Sequence, residues 1–558
     1  MHQLEKNENQ KLDKWLGALV GAAAGDALGW PNEQNSKNIS KAPHKEQEIF
    51  QKWEKRDGGR FWSHYEEIHP GEYSDDTQLI IATARSLRHG SNWNKLFSKV
   101  ELPAWISYER GGGGATKRAA ETWRKGSNPW NVEKESKEDV QRYFSAGGNG
   151  VAMRILPHVF RREGAWAEVK HQVFLNGIFT HGHPRALIGA LVYADALTYL
   201  QNIEKTLGYG ELVNYLLERR EEWGSFPNVQ KLDSWMDAAN LVFKDNYMGL
   251  WDEVTEEVLE QLKIVQEGLD QGALDMGDEV LKKLGCFDKK INGSGTVTAV
   301  ASIYLASKYA SSPRLAIIEA AYLKNADTDT LASMVGGLLG ILHGSEFLSV
   351  SWLDVQDYEY LKSLIHQETK EDTKLSGPLF DYYNPEMKAK FKHLQVGDIL
   401  RAEPFGRLML KDKHINRPNA KNAIVNTLKF VTEEGQHIFV KTYEKGSVED
   451  EAPSKDSKSN KLVNELISGY QQQQTRSSGY INTPVLDSRK IRGLSNILPK
   501  KLEFDLCLQF IADIMDEIER NGSSGINQNG LNFLKQRWMK HQIEMKDIEK
   551  AVNAILKY

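Results

Sequence analysis

Residues 326–344 read ADTDTLASMVGGLLGILHG. An acidic, hydroxyl-bearing quartet, Asp327-Thr328-Asp329-Thr330, leads into Leu331, Met334, Val335, Leu338, Leu339 and Leu342. Apolar residues three and four apart predict a helix whose first turn is acidic. Far upstream, Ser74-Asp75-Asp76 stands in the same way before Leu79, Ile80, Thr83, Ala84 and Leu87. Backbone N–H groups and the positive end of the helix dipole favour carboxylates there, so these aspartates are expected to stay ionised. Clustered carboxylates with neighbouring hydroxyls form the hard oxygen site that suits Mg²⁺ or Mn²⁺. Either stretch alone is also what an ordinary capped helix looks like, and the metal reading requires that the two meet.

Outward from these two starts, the pattern is helical from about residue 11 to residue 365. Residues 15–30 (WLGALVGAAAGDALGW) place Leu16, Leu19, Val20, Ala23, Ala24 and Ala27 on one face of a closely packed core helix. The stretch looks like a signal peptide, but it is too short to span a bilayer and Asp26 interrupts it, so no membrane association is expected. Gly25 to Gly29 read as the end of that helix. Glu33 then lies just past a glycine stop, as an acid–base group or as solvated surface. Pro184 opens a long helix carrying Leu187, Leu191, Ala194 and Leu197, and residues 296–309 and 314–323 form apolar helices leading to Asp327. Strand-like alternation is scarce. The expected fold is mainly α, a compact all-α domain over residues 11–370.

The texture changes near residue 392. Segments 394–400, 407–410, 428–431 and 437–440, separated by Gly, Pro and Asn turns, predict a small β module over 392–445. Residues 446–482 are polar and read as a flexible linker. Amphipathic helices return over 483–558, where Leu506, Phe510, Ile514 and Ile518 share a face. Arg489, Lys490, Arg492 and Trp538 permit nucleic-acid contact there, although a solvated surface is the favoured reading of them. The net charge of -5 argues against broad electrostatic capture of nucleic acid. With two cysteines, Cys286 and Cys507, in 558 residues, a disulfide framework and a cysteine zinc site are excluded. A reducing cytoplasm is the expected home. Nothing in the sequence speaks to oligomeric state.

Four further segments can approach a ligand. Gly111 to Gly114, with Ala115 and Thr116, either cradle a phosphate through backbone N–H groups or form a flexible turn. They lack the Gly-Lys-Ser/Thr ending of an ATP-binding loop, which gives kinase or ATPase chemistry no support. Gly147-Gly148-Asn149-Gly150 brings backbone and the Asn149 amide near a polar group. Thr180-His181-Gly182-His183-Pro184 sets two imidazoles at a helix start with no third soft ligand, favouring substrate contact or capping over zinc. Asn292-Gly293-Ser294-Gly295-Thr296 is another tight turn.

Taken in order, GALVGAAAGDALGWPNE (17–33), YSDDTQL (73–79), GNGVAMRILP (148–157), THGHPRALIGA (180–190) and the stretch at 326–344 resemble the ADP-ribosylglycohydrolase family. The resemblance covers roughly residues 11–350 and implies an all-α domain with a binuclear Mg²⁺ or Mn²⁺ centre in a cleft. The metal ligands it implies are Ser74, Asp75, Asp76, Asp327, Asp329 and Thr330. It implies catalytic roles for Glu33, Asp76 and Asp329. Gly113, Gly114, Thr116, Asn149, Gly150, His181, Ser294 and Gly295 are the implied contacts to ADP-ribose. Ser74 stands where family members usually have threonine, and Asn325-Ala326 where paired glycines are common.

The implied reaction is metal-dependent hydrolysis at C1″ of ADP-ribose joined to a protein side chain, a nucleic acid or a small molecule. Its transition state has oxocarbenium character, with Glu33 acting on water. A catalytically silent ADP-ribose binder or scaffold, and a hydrolase of another nucleotide derivative, are the alternatives. A pure binder has no need to keep both acidic triplets and Glu33.

Overall fold

Small and apolar residues recurring every three or four positions make a single long helix, α1 (His2–Gln34), of the N-terminal segment. The computed structural model describes residues 2–34, 48–58, 63–160, 165–204, 206–229, 232–271, 278–366, 377–416 and 423–445, and beyond these 510, 514, 531–532, 534–535 and 545–555. The elements that build the site are β1 (Trp53–Asp57), β2 (His64–Ile68), α2 (Asp75–Leu87), α3 (Gly114–Arg124), α4 (Pro184–Asn202), α5 (Gly295–Lys308) and α6 (Thr328–His343). Further helices, among them one over Tyr247–Asp270, fill the intervals.

The glycines of α1 explain its length. Gly17, Gly21, Gly25 and Gly29 recur every fourth residue and face the backbone of α6 and its C-terminal turn. A Cβ on Gly21 would stand 2.8 Å from the Gly336 carbonyl oxygen, and on Gly17, Gly25 or Gly29 closer still to the carbonyls of Gly344, Ala332 or Thr328. The two helices therefore touch backbone to backbone. This corrects the expected stop at Gly25 to Gly29: α1 continues through Pro31 to Gln34, because these glycines are packed against α6 and do not end the helix. A second close crossing joins α4 to α5, where a Cβ on Gly295 would lie 2.9 Å from the Ala186 Cα.

Strands interrupt the helical span after all. β1 and β2 pair antiparallel, with Lys55 opposite Glu66 and Trp53 opposite Ile68. The expected later strands are β3 (Ile399–Ala402), β4 (Gly406–Asn416), β5 (Ala423–Thr432) and β6 (His437–Lys445), an antiparallel sheet in that order with a bulge between Leu410 and Asp412. Its buried side chains Leu408, Phe430 and Val440 share one apolar core with Leu79 and Ala82 of α2 and with Trp105. Burial of side chains this size stabilises by about 1.5–3 kcal/mol each. The sheet and the helices thus form one compact unit, Met1–Val448. Pairing into the sheet begins ahead of residue 392, with Phe380 N–H donating to the Glu403 carbonyl at 2.8 Å.

A second unit, Glu449–Tyr558, shows α7 (Met545–Ile555) with Ile548, Ala551 and Val552 buried. The expected linker at 446–482, and most of the expected C-terminal helices, lie outside the described residues. Among the described residues no helix is long and apolar enough to cross a membrane.

Candidate active site

Two helix starts converge on one point. Ser74 caps α2, its Oγ accepting the Asp76 N–H at 3.3 Å. Asp26, buried midway along α1, accepts from Ser74 N–H at 2.9 Å, Thr77 N–H at 3.0 Å and Thr77 Oγ1 at 2.6 Å. One carboxylate thus braces the first turn of α2 against α1. At the start of α6, Thr328 Oγ1 donates to the Gly29 carbonyl at 2.8 Å and Thr330 N–H to Asp329 Oδ1 at 2.9 Å. Asn325 turns the chain into this start at φ 69°, a left-handed conformation that asparagine tolerates better than most side chains, so the turn forms without glycine. Thr330 Oγ1 then donates to Asp76 Oδ2 at 3.3 Å. The two acidic stretches are in contact.

Around that contact lies a cleft of about 270 Å³. Of the residues expected at a site, Glu33, Asp75, Asp76, Gly113, Gly114, Thr116, Asn149, Gly150, His181, Asp327, Asp329 and Thr330 line it. Ser74, Ser294 and Gly295 do not. Ser74 is fully buried behind Asp76 as a cap, Ser294 Oγ lies 3.2 Å from Thr296 Oγ1, and Gly295 is wedged against α4. Gly293 lines the cleft in their place. The Asn149 amide, expected to face a ligand, already donates to Asp327 Oδ2 at 2.8 Å and to Thr298 Oγ1 at 3.1 Å. It holds Asp327.

Two loops are pinned from behind by Arg154, which is buried with no carboxylate partner among the described residues. It donates to the Gly150 carbonyl at 2.6 Å, Asn176 Oδ1 at 2.7 Å and Thr180 Oγ1 at 2.9 Å. Thr180 Oγ1 in turn lies 2.7 Å from His181 Nδ1. Burial, and then the nearby Arg154 and Arg118 cations, bring His181 down to about 3, so its imidazole is neutral. His183 accepts the Arg185 N–H and caps α4.

Like charges crowd the cleft. The Glu33 side chain reaches solvent, yet protein surrounds its carboxyl. That burial, and then the Asp327 charge, push it up to about 7 against the pull of Lys55. Asp75, Asp76 and Asp329 are pushed well above the usual carboxylate range. Burial is the first cause in each case, followed by Glu109, Asp26 and Glu33 respectively. Without a cation beside them, burial thus works against the ionised state that the helix starts favour for these three aspartates. A helix terminus supplies about 0.3–1 kcal/mol, which burial beside other carboxylates outweighs. Asp76 Oδ1 is buried with no hydrogen-bond partner among the described residues, and the atoms available as ligands are carboxylate and hydroxyl oxygens, the chemistry of a Mg²⁺ or Mn²⁺ site. Among the described residues, no group of three or more His, Cys, Asp or Glu side chains is arranged to hold a metal ion as it stands.

A profile of the ADP-ribosylglycohydrolases matches residues 7–377. The chain belongs to the ADP-ribosylglycohydrolase family. The ADP-ribosyl-[dinitrogen reductase] glycohydrolase of Rhodospirillum rubrum is 27% identical over 186 residues, 31% of this chain and 52% of that relative. The chain thus spans about half the length of the curated relative it matches. A solved ADP-ribosylglycohydrolase-related protein complex is similar over 65% of this chain and 98% of its own, at 19% identity and a TM-score of 0.40. Within this member of the family, Asp26 and Arg154 are polar residues near the cleft that the sequence did not single out as site residues. A lone carboxylate inside an alanine-rich helix was the signal for the first; the second had none.

Proposed function

We propose that this chain hydrolyses the glycosidic bond at C1″ of ADP-ribose carried by an acceptor, releasing ADP-ribose. The observation that carries this reading is the 3.3 Å contact of Thr330 Oγ1 with Asp76 Oδ2, between residues 254 positions apart, in a cleft that Glu33 also lines. Two Mg²⁺ ions, or Mn²⁺, would be held by Asp75, Asp76, Asp327, Asp329 and Thr330. Ser74 Oγ keeps a lone pair beside its cap bond for the same purpose. When bound, such ions supply positive charge that offsets the crowded carboxylates and polarises ribose hydroxyls.

The chain's own groups do the rest. Glu33, an exposed acidic side chain lining the cleft, accepts a proton from the attacking water. Gly113 starts α3 with no side-chain cap, which leaves first-turn N–H groups to bind the diphosphate. Neutral His181 offers a hydrogen bond without adding charge beside it. Asn149 and Asp26 hold Asp327 and the start of α2 while the bond at C1″ breaks.

The test is release of ADP-ribose from ADP-ribosylated arginine, serine and DNA, with and without Mg²⁺. Release from at least one acceptor is expected, lowered by at least about 10²-fold without Mg²⁺ or in Asp75→Asn/Asp329→Asn. Full turnover by that double variant would refute the reading, and ADP-ribose binding with no release from any acceptor would make the chain a binder.

A further inference from the structure

Strand β6 lies beyond the family-matched residues 7–377, yet its side chains reach the elements that carry the cleft. Gln436, in the turn before β6, accepts from Arg85 Nη1 at 2.7 Å through Oε1, and Arg85 belongs to α2. His437 N–H donates to Asp357 Oδ2 at 3.0 Å, and Tyr73, the residue before Ser74, donates its hydroxyl to the same oxygen at 2.6 Å. Further along, the Phe439 ring packs on Arg110, the neighbour of Gly111, and Lys441 pairs with Glu66, a carboxylate that Arg110 shares.

Arg110 is held in an unusual way. Its guanidinium carbon stands 3.9 Å from the Phe439 ring centroid and 5.3 Å from that of Trp30. Nη2 donates to Glu72 at 2.9 Å and to Glu66 at 3.2 Å, while Nε and Nη1 have no hydrogen-bond partner among the described residues. Its orientation therefore depends on two ring faces and two buried carboxylates. Both carboxylates also draw on the sheet. Lys441 Nζ lies 2.8 Å from Glu66 Oε2 and pairs with Asp57 as well, and Lys429 of β5 lies 3.9 Å from Glu72. Without Lys441, the buried Glu66 would lean on Arg110 alone among the ion pairs of the described residues, and a buried under-compensated charge is strongly unfavourable.

We infer that β6 is a positioning strand for the cleft: Lys441 and Phe439 fix Arg110, and through it the Gly111–Gly114 turn that leads into α3. The consequence for ligand affinity rests on the proposed reading of that turn as the ADP-ribose contact. The consequence for the turn itself does not.

The experiment compares Lys441→Met and Lys441→Arg in the full chain. Amide hydrogen exchange at residues 110–114 is expected to quicken at least about tenfold in Lys441→Met, while α1 and α6 keep their protection, and to return in Lys441→Arg. The Kd for ADP-ribose with Mg²⁺ should rise about tenfold, and substrate KM with it, while kcat stays within about twofold. Unchanged exchange at 110–114 overturns the inference, as does a chain-wide loss of protection that Lys441→Arg does not cure. Should Lys441→Met fail to fold, Phe439→Leu removes one ring face and leaves the charges, and unchanged exchange there is equally decisive. If the unaltered chain releases no ADP-ribose, the hydrolase reading fails while the exchange measurement still decides the role of β6.

Discussion

Replacing Gly29 with alanine tests whether the contact of α1 with α6 sets the geometry of the cleft. The added Cβ would stand 2.7 Å from the Asp329 Cα and closer to the Thr328 carbonyl, where ordinary contact is 3.4–4 Å. Both obstacles are backbone, so no side chain can swing aside. The helices must part by roughly 1 Å at this level, and overpacking of this kind costs about 1–3 kcal/mol. Glu33 follows Gly29 by one helical turn, and Asp329 is the residue struck, so their separation grows by a similar amount. A misplacement of about 1 Å among reacting groups lowers rates by about 10²-fold. Gly21→Ala is the comparison, since its Cβ would meet the Gly336 carbonyl at 2.8 Å, further from the cleft. Thermal melting and ADP-ribose release at saturating substrate read the two effects. Both variants should melt earlier, and Gly29→Ala should lose far more turnover. An unchanged melting temperature in Gly29→Ala would refute the backbone contact, and equal losses of turnover in the two would refute its link to the cleft.

Three other outcomes follow from the same geometry. Asp26→Asn offers one acceptor oxygen where three donors now converge. A stranded buried donor costs about 1–3 kcal/mol, so the variant should melt earlier and respond less to Mg²⁺; an intact Mg²⁺ response removes Asp26 as the brace of α2. Without divalent cations, the raised Glu33 carboxyl contributes most stability below its ordinary 4.5, and that contribution is lost as pH rises through about 7. Asp75, Asp76 and Asp329 act in the same direction. Cations must displace these protons, so Mg²⁺ should raise the melting temperature more at about pH 8 than at about pH 5.5; equal shifts would contradict the site. Finally, a chain ending at residue 391 strips Leu408, Phe430 and Val440 from the core around Leu79 and Trp105, a loss comparable with a typical total stability of about 5–15 kcal/mol. It should lack a cooperative melt that a chain ending at Val448 retains, and a cooperatively folded 1–391 fragment would refute the shared core.

The acidic helix starts were legible because carboxylates and hydroxyls open otherwise apolar helical runs, and the strands after residue 392 because turn residues frame them. The hairpin β1–β2 was not. Its inward positions include Lys55, His64 and Glu66, so the alternation of buried and exposed residues is real but carried by polar side chains, with Lys55 paired to Asp57 and Glu66 to Arg110 and Lys441. Hydrophobic periodicity cannot register a strand whose buried face is ionic. Glycine was ambiguous for a related reason. In Gly25 and Gly29 it marks a helix contact, in Gly295 a helix crossing, and in Gly293 a cleft wall, and only the distant partner decides which. The Asn149 amide points the same way, since its partner Asp327 lies 178 positions along the chain.

The pairing of α1 with α6 also shapes how the molecule is born. Gly29 and Thr328, which meet across it, are 299 positions apart. A ribosome adding about 5–20 residues per second delivers the second roughly 15–60 s after the first. Over that interval the alanine and glycine face of the newborn first helix has no α6 to lie against, and the two halves of the acidic cleft do not yet coexist. Any cation held between these two helix starts would therefore be captured late in biosynthesis, after pieces of the fold 299 positions apart have found each other.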